Sequence, residues 1–448
     1  MEEYYKKGFF WSIQNLGKFG TSVPRELTAA FTTFITMSYI IIVNPAILGS
    51  APGMEQNFAG FLTATILVCS ISTILMGLYA NIPFALAPGM GINAFFAITL
   101  IQIKGLSLET ALAAVFISGL IFILLSILKI RDAIVAAIPG SLRKAIAAGI
   151  GLFIAFIGFK NGGFIVDHPA TLIGLGSFGP PMLYFIAALV IMIVLLSFRI
   201  KGALLLGIVS ASFLALPYGR FIFPSHDAII EMAGPILTKP DFHSVFFKLD
   251  IKSVFSVALI VPVFTLLFTD LFDSLATFIG ISQAANMVDG KGQPINVGRA
   301  LLVDAVSTTI SGLFGTSSGT TYIESAAGVE EGGRTGLVAV FAGLMFLPFL
   351  FFSNLIKAVP AFATAAALVI VGVYMMQGVR EIDFRNPEEG IPCFLAVILI
   401  PLTYSISQGI IWGFLVYTLI KIVKGKFKEV HPMMYAISAL SILALIYH

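Results

Sequence analysis

Three carboxylates lie inside sequence apolar enough to cross a membrane. Asp270 and Asp273 sit in VALIVPVFTLLFTDLFDSLATFIG (257–280), and Glu324 sits in GTSSGTTYIESAAG (315–328). An ionised carboxylate in hydrocarbon costs several kcal/mol, so such groups face a protein interior or a water-filled cavity and mark ion or solute pathways. Asp270 and Asp273 are three residues apart and share a helix face, with Thr277 one turn beyond and within reach of Asp273. Asn93 falls early in FALAPGMGINAFFAI (84–98). A carboxylate accepts two parallel N–H donors, and an amide both donates and accepts. These groups together suit a planar, uncharged ligand whose edge alternates N–H and C=O, as a purine or pyrimidine base does. Phe268, Phe95, Phe96 and Tyr39 are rings available to stack on it. Asp304, in ALLVDAVSTTISG (300–312), is a further acid, expected to bond across to the Asp270–Asp273 helix and not to touch ligand.

The elements that position these residues are membrane spans. The chain has 448 residues, 58% hydrophobic and 11% charged, with mean hydropathy +1.00; a soluble domain carries roughly 25% charged residues. Runs such as TTFITMSYIIIVNPAIL (32–48), AGFLTATILVCSISTILMGL (59–78) and MLYFIAALVIMIVLLSF (182–198) approach spanning length. About 14 spans are expected, starting near residues 27, 58, 83, 109, 142, 182, 202, 254, 297, 320, 335, 362, 390 and 408. With the N-terminus inside, only Lys104, Lys160, Arg220, Lys239, Lys248, Lys252 and Lys357 of the 26 basic residues fall outside. That bias puts both termini in the cytoplasm and the chain in the cell membrane. The first apolar run follows a charged, amphipathic stretch and not a cleavable signal, and the apolar tail 433–447 is short for a span. Cys69 and Cys393 both fall within spans, so no disulfide framework is implied.

Two segments are broken where a normal span carries Leu and Ile. FALAPGMGINAFFAI (84–98) and FGTSSGTTYIESAAG (314–328) each begin with Gly, Pro, Ser and Thr. Short, Gly/Pro-interrupted hydrophobic segments in corresponding halves point to a transporter binding site. An extended stretch followed by a half-helix frees backbone groups at mid-membrane, tolerated only where protein covers them or a cavity is lined. IPGSLRKAIAAGIGLFIAFIGF (138–159) and VPAFATAAALVIVGVYMMQGV (359–379) also look alike, as two repeats would. None of the histidines His168, His226, His243, His431 and His448 falls in a span, so proton coupling rests on carboxylates. Desolvation favours the neutral form of a carboxyl, which suits proton symport; sodium is the alternative coupling ion. Glu330 and Glu331 are expected at a solvated turn.

At APGMGINAFFA (87–97) and TSSGTTYIESAAGVEEGGRTGL (316–337) the chain resembles the nucleobase–cation symporter-2 superfamily, in particular its AzgA-like guanine/hypoxanthine/adenine permeases. FTDLFDSLATFIG (268–280), IPLTYSI (400–406) and PRELTAAFTTFITMSYIIIVNP (24–45) extend the likeness nearly end to end. The resemblance implies an all-α uracil-permease-type fold: 14 segments in two inverted repeats of seven, with a core domain moving against a gate domain in an elevator-like cycle. By motif match Asp270 and Glu324 would contact the base, Asn93 would lie close by, and the backbone around Ser325 would help. Asp273 and Asp304 would tune or couple. The chain departs from the pattern at Gly319, at Glu330–Glu331 and just after Asp273, differences that bear on which purine is carried.

The domain boundaries expected are a cytoplasmic or interfacial N-terminus (1–26), a first repeat (27–217), an outer loop (218–253), a second repeat (254–424) and a cytoplasmic tail (425–448). Expected partners are a purine base and the lipid bilayer, not nucleic acid. The resemblance adds a homodimer through the gate domain, and no cofactor is expected beyond the coupling ion. Two other readings compete. An anion carrier of the same fold is argued against by Asp270 and Glu324, which would repel an anion. A membrane-embedded aspartyl protease needs Gly-x-Gly-Asp, whereas GMGIN (89–93) ends in Asn, and a serine enzyme needs an in-span histidine.

Overall fold

The computed structural model describes residues 2–128, 137–221, 234–285, 287–288 and 294–446. The basic residues Lys129, Arg131 and Lys291, the histidines His226 and His448, and part of the expected outer loop lie outside the described residues. Among those described, nine helices are long and apolar enough to cross a membrane, and Met90–Ile103, Ala203–Phe213 and Gly336–Phe351 are shorter apolar helices. Most are apolar all round, as helices buried in a bundle or in lipid must be.

The helices pack as two sets. Val23–Met37, Ile40–Gly49, Phe58–Leu75, Leu108–Ile127, Val257–Ala284, Val297–Phe314 and Gly336–Phe346 form the first. Gly140–Asn161, Pro180–Ser197, Ala203–Phe221, Ala361–Met375, Pro387–Thr403 and Ile406–Val423 form the second. The two look-alike sequence segments thus become neighbours, Gly140–Asn161 packing on Ala361–Met375. Small residues permit the approach: a Cβ on Gly158 would sit 2.7 Å from the Ala365 carbonyl oxygen, and one on Gly312 would sit 2.6 Å from the Phe116 nitrogen.

Among the described residues four short strands interrupt the helices: β1 (Leu86–Pro88), β2 (Ile165–His168), β3 (Leu172–Leu175) and β4 (Gly319–Thr321). β2 and β3 form a hairpin between Gly140–Asn161 and Pro180–Ser197. β1 and β4 pair antiparallel inside the first set, with Leu86 opposite Thr321, Ala87 opposite Thr320 and Pro88 opposite Gly319. They are the extended stretches the Gly/Pro pattern predicts. The Gly89 N–H donates to Ser318 O at 2.9 Å and the Tyr322 N–H to Ala85 O at 3.0 Å. Their backbone is therefore satisfied by protein, as it must be at membrane depth.

The GGRTG motif (332–336) is an anchor. The Glu26 carboxylate, fully buried, accepts from the Arg334 N–H at 2.8 Å and the Thr335 hydroxyl at 2.6 Å. The N-terminal arm docks beside it, the Tyr5 hydroxyl donating to Arg334 O at 2.7 Å. Glu330 is exposed, but Glu331, expected in solvent, forms an ion pair with Lys201 and so links the two sets. Residues 238–250 lie over the far ends of the first set, where the Phe247 N–H donates to Leu313 O at 2.7 Å. Cys69 and Cys393 are buried and free.

Candidate functional site

Because β1 and β4 run antiparallel, the helices that follow them, Met90–Ala94 and Ser325–Glu330, start at opposite ends of the crossing and run apart. Glu324 is the last residue before the second of these helices. The Tyr39 hydroxyl, at the break between Val23–Met37 and Ile40–Gly49, donates to Glu324 Oε1 at 2.7 Å. Asp273 reaches toward β4 from the middle of Val257–Ala284, beside Thr320 and close enough to Glu324 for the two carboxyls to interact.

Asp273, Glu324, Tyr39 and Thr277 line one cavity of about 560 Å³, together with Phe272 and Tyr322 of the first set and Tyr374 of the second. That volume is typical of small-molecule sites, roughly 300–1,000 Å³. The Tyr322 hydroxyl is engaged, donating to Pro88 O at 2.5 Å. The Tyr374 hydroxyl lies across the cavity, within electrostatic reach of Glu324. The cavity opens where Gly140–Asn161 begins and Val257–Ala284 ends; Arg143, Lys144, Gln283 and Glu381 stand at that mouth, and Lys144 is ion-paired with Glu381.

The other expected site residues lie behind this surface. Asp270, 1% exposed, accepts a hydrogen bond at Oδ2 from the Thr308 hydroxyl and does not line the cavity. Three residues on a helix leave two side chains about 60° apart and offset by about 4.5 Å, enough to turn Asp270 toward Val297–Phe314 while Asp273 faces the opening. Asp304 is its neighbour there, accepting from the Thr321 hydroxyl at 3.3 Å. Asp270 Oδ1 and Asp304 Oδ2 have no hydrogen-bond partner among the described residues. Asn93 is fully buried, accepting from Ser317, and the Ser325 hydroxyl accepts the Ala85 N–H at 3.0 Å. Phe268 stacks on Phe264 with ring centroids 4.1 Å apart, and Phe95 and Phe96 are core.

Sequence reasoning passed over Phe272, Tyr322 and Tyr374. Tyr322 stood inside the YIESAAG motif and Phe272 beside Asp273, so both were within reach. Tyr374 sits in a helix of small apolar residues with nothing local to mark it. Among the described residues no three His, Cys, Asp or Glu side chains converge as a metal site would.

A bundle of apolar helices enclosing two crossed strands, with a cavity lined by apolar and polar groups between two helix sets, is the layout of a multi-pass membrane transporter. Solved transporters share the architecture. The transmembrane domain of the cyanobacterial bicarbonate transporter BicA superposes with a TM-score of 0.64 over 87% of this chain and 97% of its own, at 16% identity. SLC26A9 gives 0.62 over 90% of this chain and 66% of its own, at 10% identity. At such identities the likeness establishes the uracil-permease-type fold alone. The family model Xan_ur_permease, described as "Permease family", matches residues 24–412, and the chain belongs to that family, the nucleobase–cation symporter-2 family. Similar proteins include a putative permease of Methanocaldococcus jannaschii, 43% identical over 96% of both chains. The adenine permease AdeP of Escherichia coli is 38% identical over 98% of this chain and 97% of its own. The guanine/hypoxanthine permease PbuG of Bacillus subtilis is 38% identical over 96% and 97%.

Proposed function

We propose that the protein imports purine nucleobases, guanine or hypoxanthine first and adenine next, by proton symport in an elevator-like cycle. The observation that carries this reading is the pair of carboxylates, Asp273 and Glu324, presented with tyrosine and phenylalanine rings to one small-molecule-sized cavity. Carboxylates accept the N–H groups of a base edge, and rings pack on its faces. The names of the similar permeases support a purine. Asp273, not Asp270, is then the ligand-facing acid on its helix, with Glu324 opposite and Tyr39 orienting Glu324. Thr277 and Tyr374 complete the lining. Asn93 and Ser325 act at one remove, fixing the strand crossing, and Phe268 packs the helix behind.

The Asp270–Asp304 pair carries the coupling proton in this reading. Two buried carboxyls, each with one free oxygen and no basic partner among the described residues, hold one proton between them more readily than two charges. The first helix set is the moving core and the second the gate, through which two copies pair. Fourteen segments in two inverted repeats, 27–217 and 254–424, cross the cell membrane with both termini in the cytoplasm, so the cavity mouth opens inward. The test is thermal stability of the purified protein with guanine, hypoxanthine, adenine, xanthine, uracil or sulfate, since a ligand bound only by the folded state raises it by mass action. A shift with one or two purines is expected. A shift with sulfate and none with any base would refute the assignment.

A further inference from the structure

The IPLTYSI motif lies at the opposite end of the molecule from the cavity mouth. Pro387–Thr403 ends at Tyr404, whose backbone is left-handed, with φ 51° and ψ 30°. A helix leaves its last carbonyls without intrahelical partners, and Tyr404 O finds one outside its own helix set. It accepts from the Thr99 hydroxyl at 2.9 Å. Thr99 lies in the π-helical stretch Phe95–Ile103, which follows Met90–Ala94 and packs on Ile40–Gly49 and Leu108–Ile127 of the first set; such widened turns often accompany functional sites. Three residues on, the Ser407 hydroxyl sits 2.7 Å from the Thr265 hydroxyl of Val257–Ala284. Thr265 donates to Val261 O at 2.9 Å, which leaves Ser407 as the donor across the gap.

The Thr265–Ser407 link is buried and the Thr99–Tyr404 link partly so, and aromatic rings pack around them. The Tyr404 ring meets Phe153 and Phe156 edge-on at 5.6 and 5.5 Å, and Phe268 meets Phe414 at 6.4 Å. Along Val257–Ala284, Thr265 lies about 12 Å from Asp273 on one side and Gln283, at the mouth, about 15 Å on the other, at 1.5 Å per residue. The site acid thus stands between an open end and an end closed by two hydroxyl contacts.

We propose that the Tyr404–Ser407 turn is the latch of the far route: it holds the first helix set against the second while the mouth is open, and both hydrogen bonds must part before the cavity opens at the Tyr404 end. This rests on the alternating-access reading above but needs no particular substrate. Neutral hydroxyl bonds suit a latch, since each contributes only modestly to an equilibrium and can be remade in every cycle.

The test uses the full chain in sided vesicles, with Cys69→Ala and Cys393→Ser to clear native thiols and Ala276→Cys as a reporter in the cavity lining. An impermeant maleimide is added from the Tyr404 face. Thr99→Val with Thr265→Val, which preserves shape, should raise the labelling rate on the order of tenfold, the worth of two such bonds. Unchanged labelling would overturn the latch. Separately, a Thr265→Cys/Ser407→Cys disulfide should stop uptake of whichever base is carried until a reductant is added. Full uptake with that disulfide intact would overturn it equally. If labelling responds to the latch substitutions while no purine is bound or carried, the substrate reading falls and the latch stands.

Discussion

The Asp273–Glu324 pair and the Asp270–Asp304 pair meet at the same strand, β4, and differ in what can reach them. Asp273 and Glu324 are half-buried and line the cavity, with Tyr39 donating to one and Thr320 beside the other. Asp270 and Asp304 are sealed behind them, each engaged by one threonine hydroxyl and each left with one oxygen that has no partner among the described residues. One turn of one helix separates the two environments. A group that must bind and release a solute needs access, whereas a group that only gains and loses a proton needs a neighbour and a polar strand. The proposed division of labour rests on packing and not on residue type, because three of the four acids are aspartates.

The comparison breaks most sharply by neutralising each acid in turn. Asp273→Asn and Glu324→Gln should each weaken purine binding by a hundredfold or more, since buried charge-assisted hydrogen bonds contribute about 1.5–3 kcal/mol each and the orphaned partner adds to the loss. Asp270→Asn and Asp304→Asn should retain binding, measured by calorimetry on purified protein, yet lose accumulation that depends on the proton gradient. Normal binding by Asp273→Asn together with loss of binding by Asp270→Asn would reverse the assignment.

A smaller effect is expected at the bond that orients the accessible pair. Tyr39→Phe removes the donor to Glu324 Oε1 and leaves the ring in place. Binding should weaken about tenfold, within the range of one hydrogen bond to a charged group. If affinity is unchanged while transport slows, Tyr39 serves the movement of the core and not the posture of Glu324.

Much of this was legible in the sequence. The spans follow from uninterrupted apolar runs, and β1 and β4 follow from Gly, Pro, Ser and Thr placed where a helix would not tolerate them. Glu324 stood out as an acid beside one interruption, Thr277 as a turn beyond Asp273 and Tyr39 only as a ring that could stack; all three line the cavity. The sequence motif put Asp270 at the ligand and Asp273 in support, whereas Asp273 is the one that lines the cavity; helical periodicity puts both on one broad face. The phase that separates them is set by Val297–Phe314 and β4, brought in from tens of residues away. Tyr374 was hidden for a related reason: its meaning comes from the opposite helix set. Likewise, GGRTG was conspicuous as a motif, but its purpose depends on Glu26, 308 residues from Arg334.

The finest discrimination between the pairs lies in Thr308. Its hydroxyl bonds Asp270 Oδ2 and sits 3.1 Å from Gly319 O, so one side chain touches both the sealed acid and the strand that carries the site. Thr308→Val keeps the volume and removes the hydroxyl. The folded protein should lose about 1–2 kcal/mol of stability, since a buried acceptor is left without its donor. Ligand affinity should change less than twofold, because Thr308 does not line the cavity and Asp273 keeps Thr320. The pH dependence of uptake should move, because the environment of the Asp270–Asp304 proton has changed. Denaturation, calorimetry and uptake as a function of pH read the three separately. A large loss of affinity would mean that β4 transmits the state of the sealed pair directly to Glu324 and Asp273, and the two pairs would then form one site.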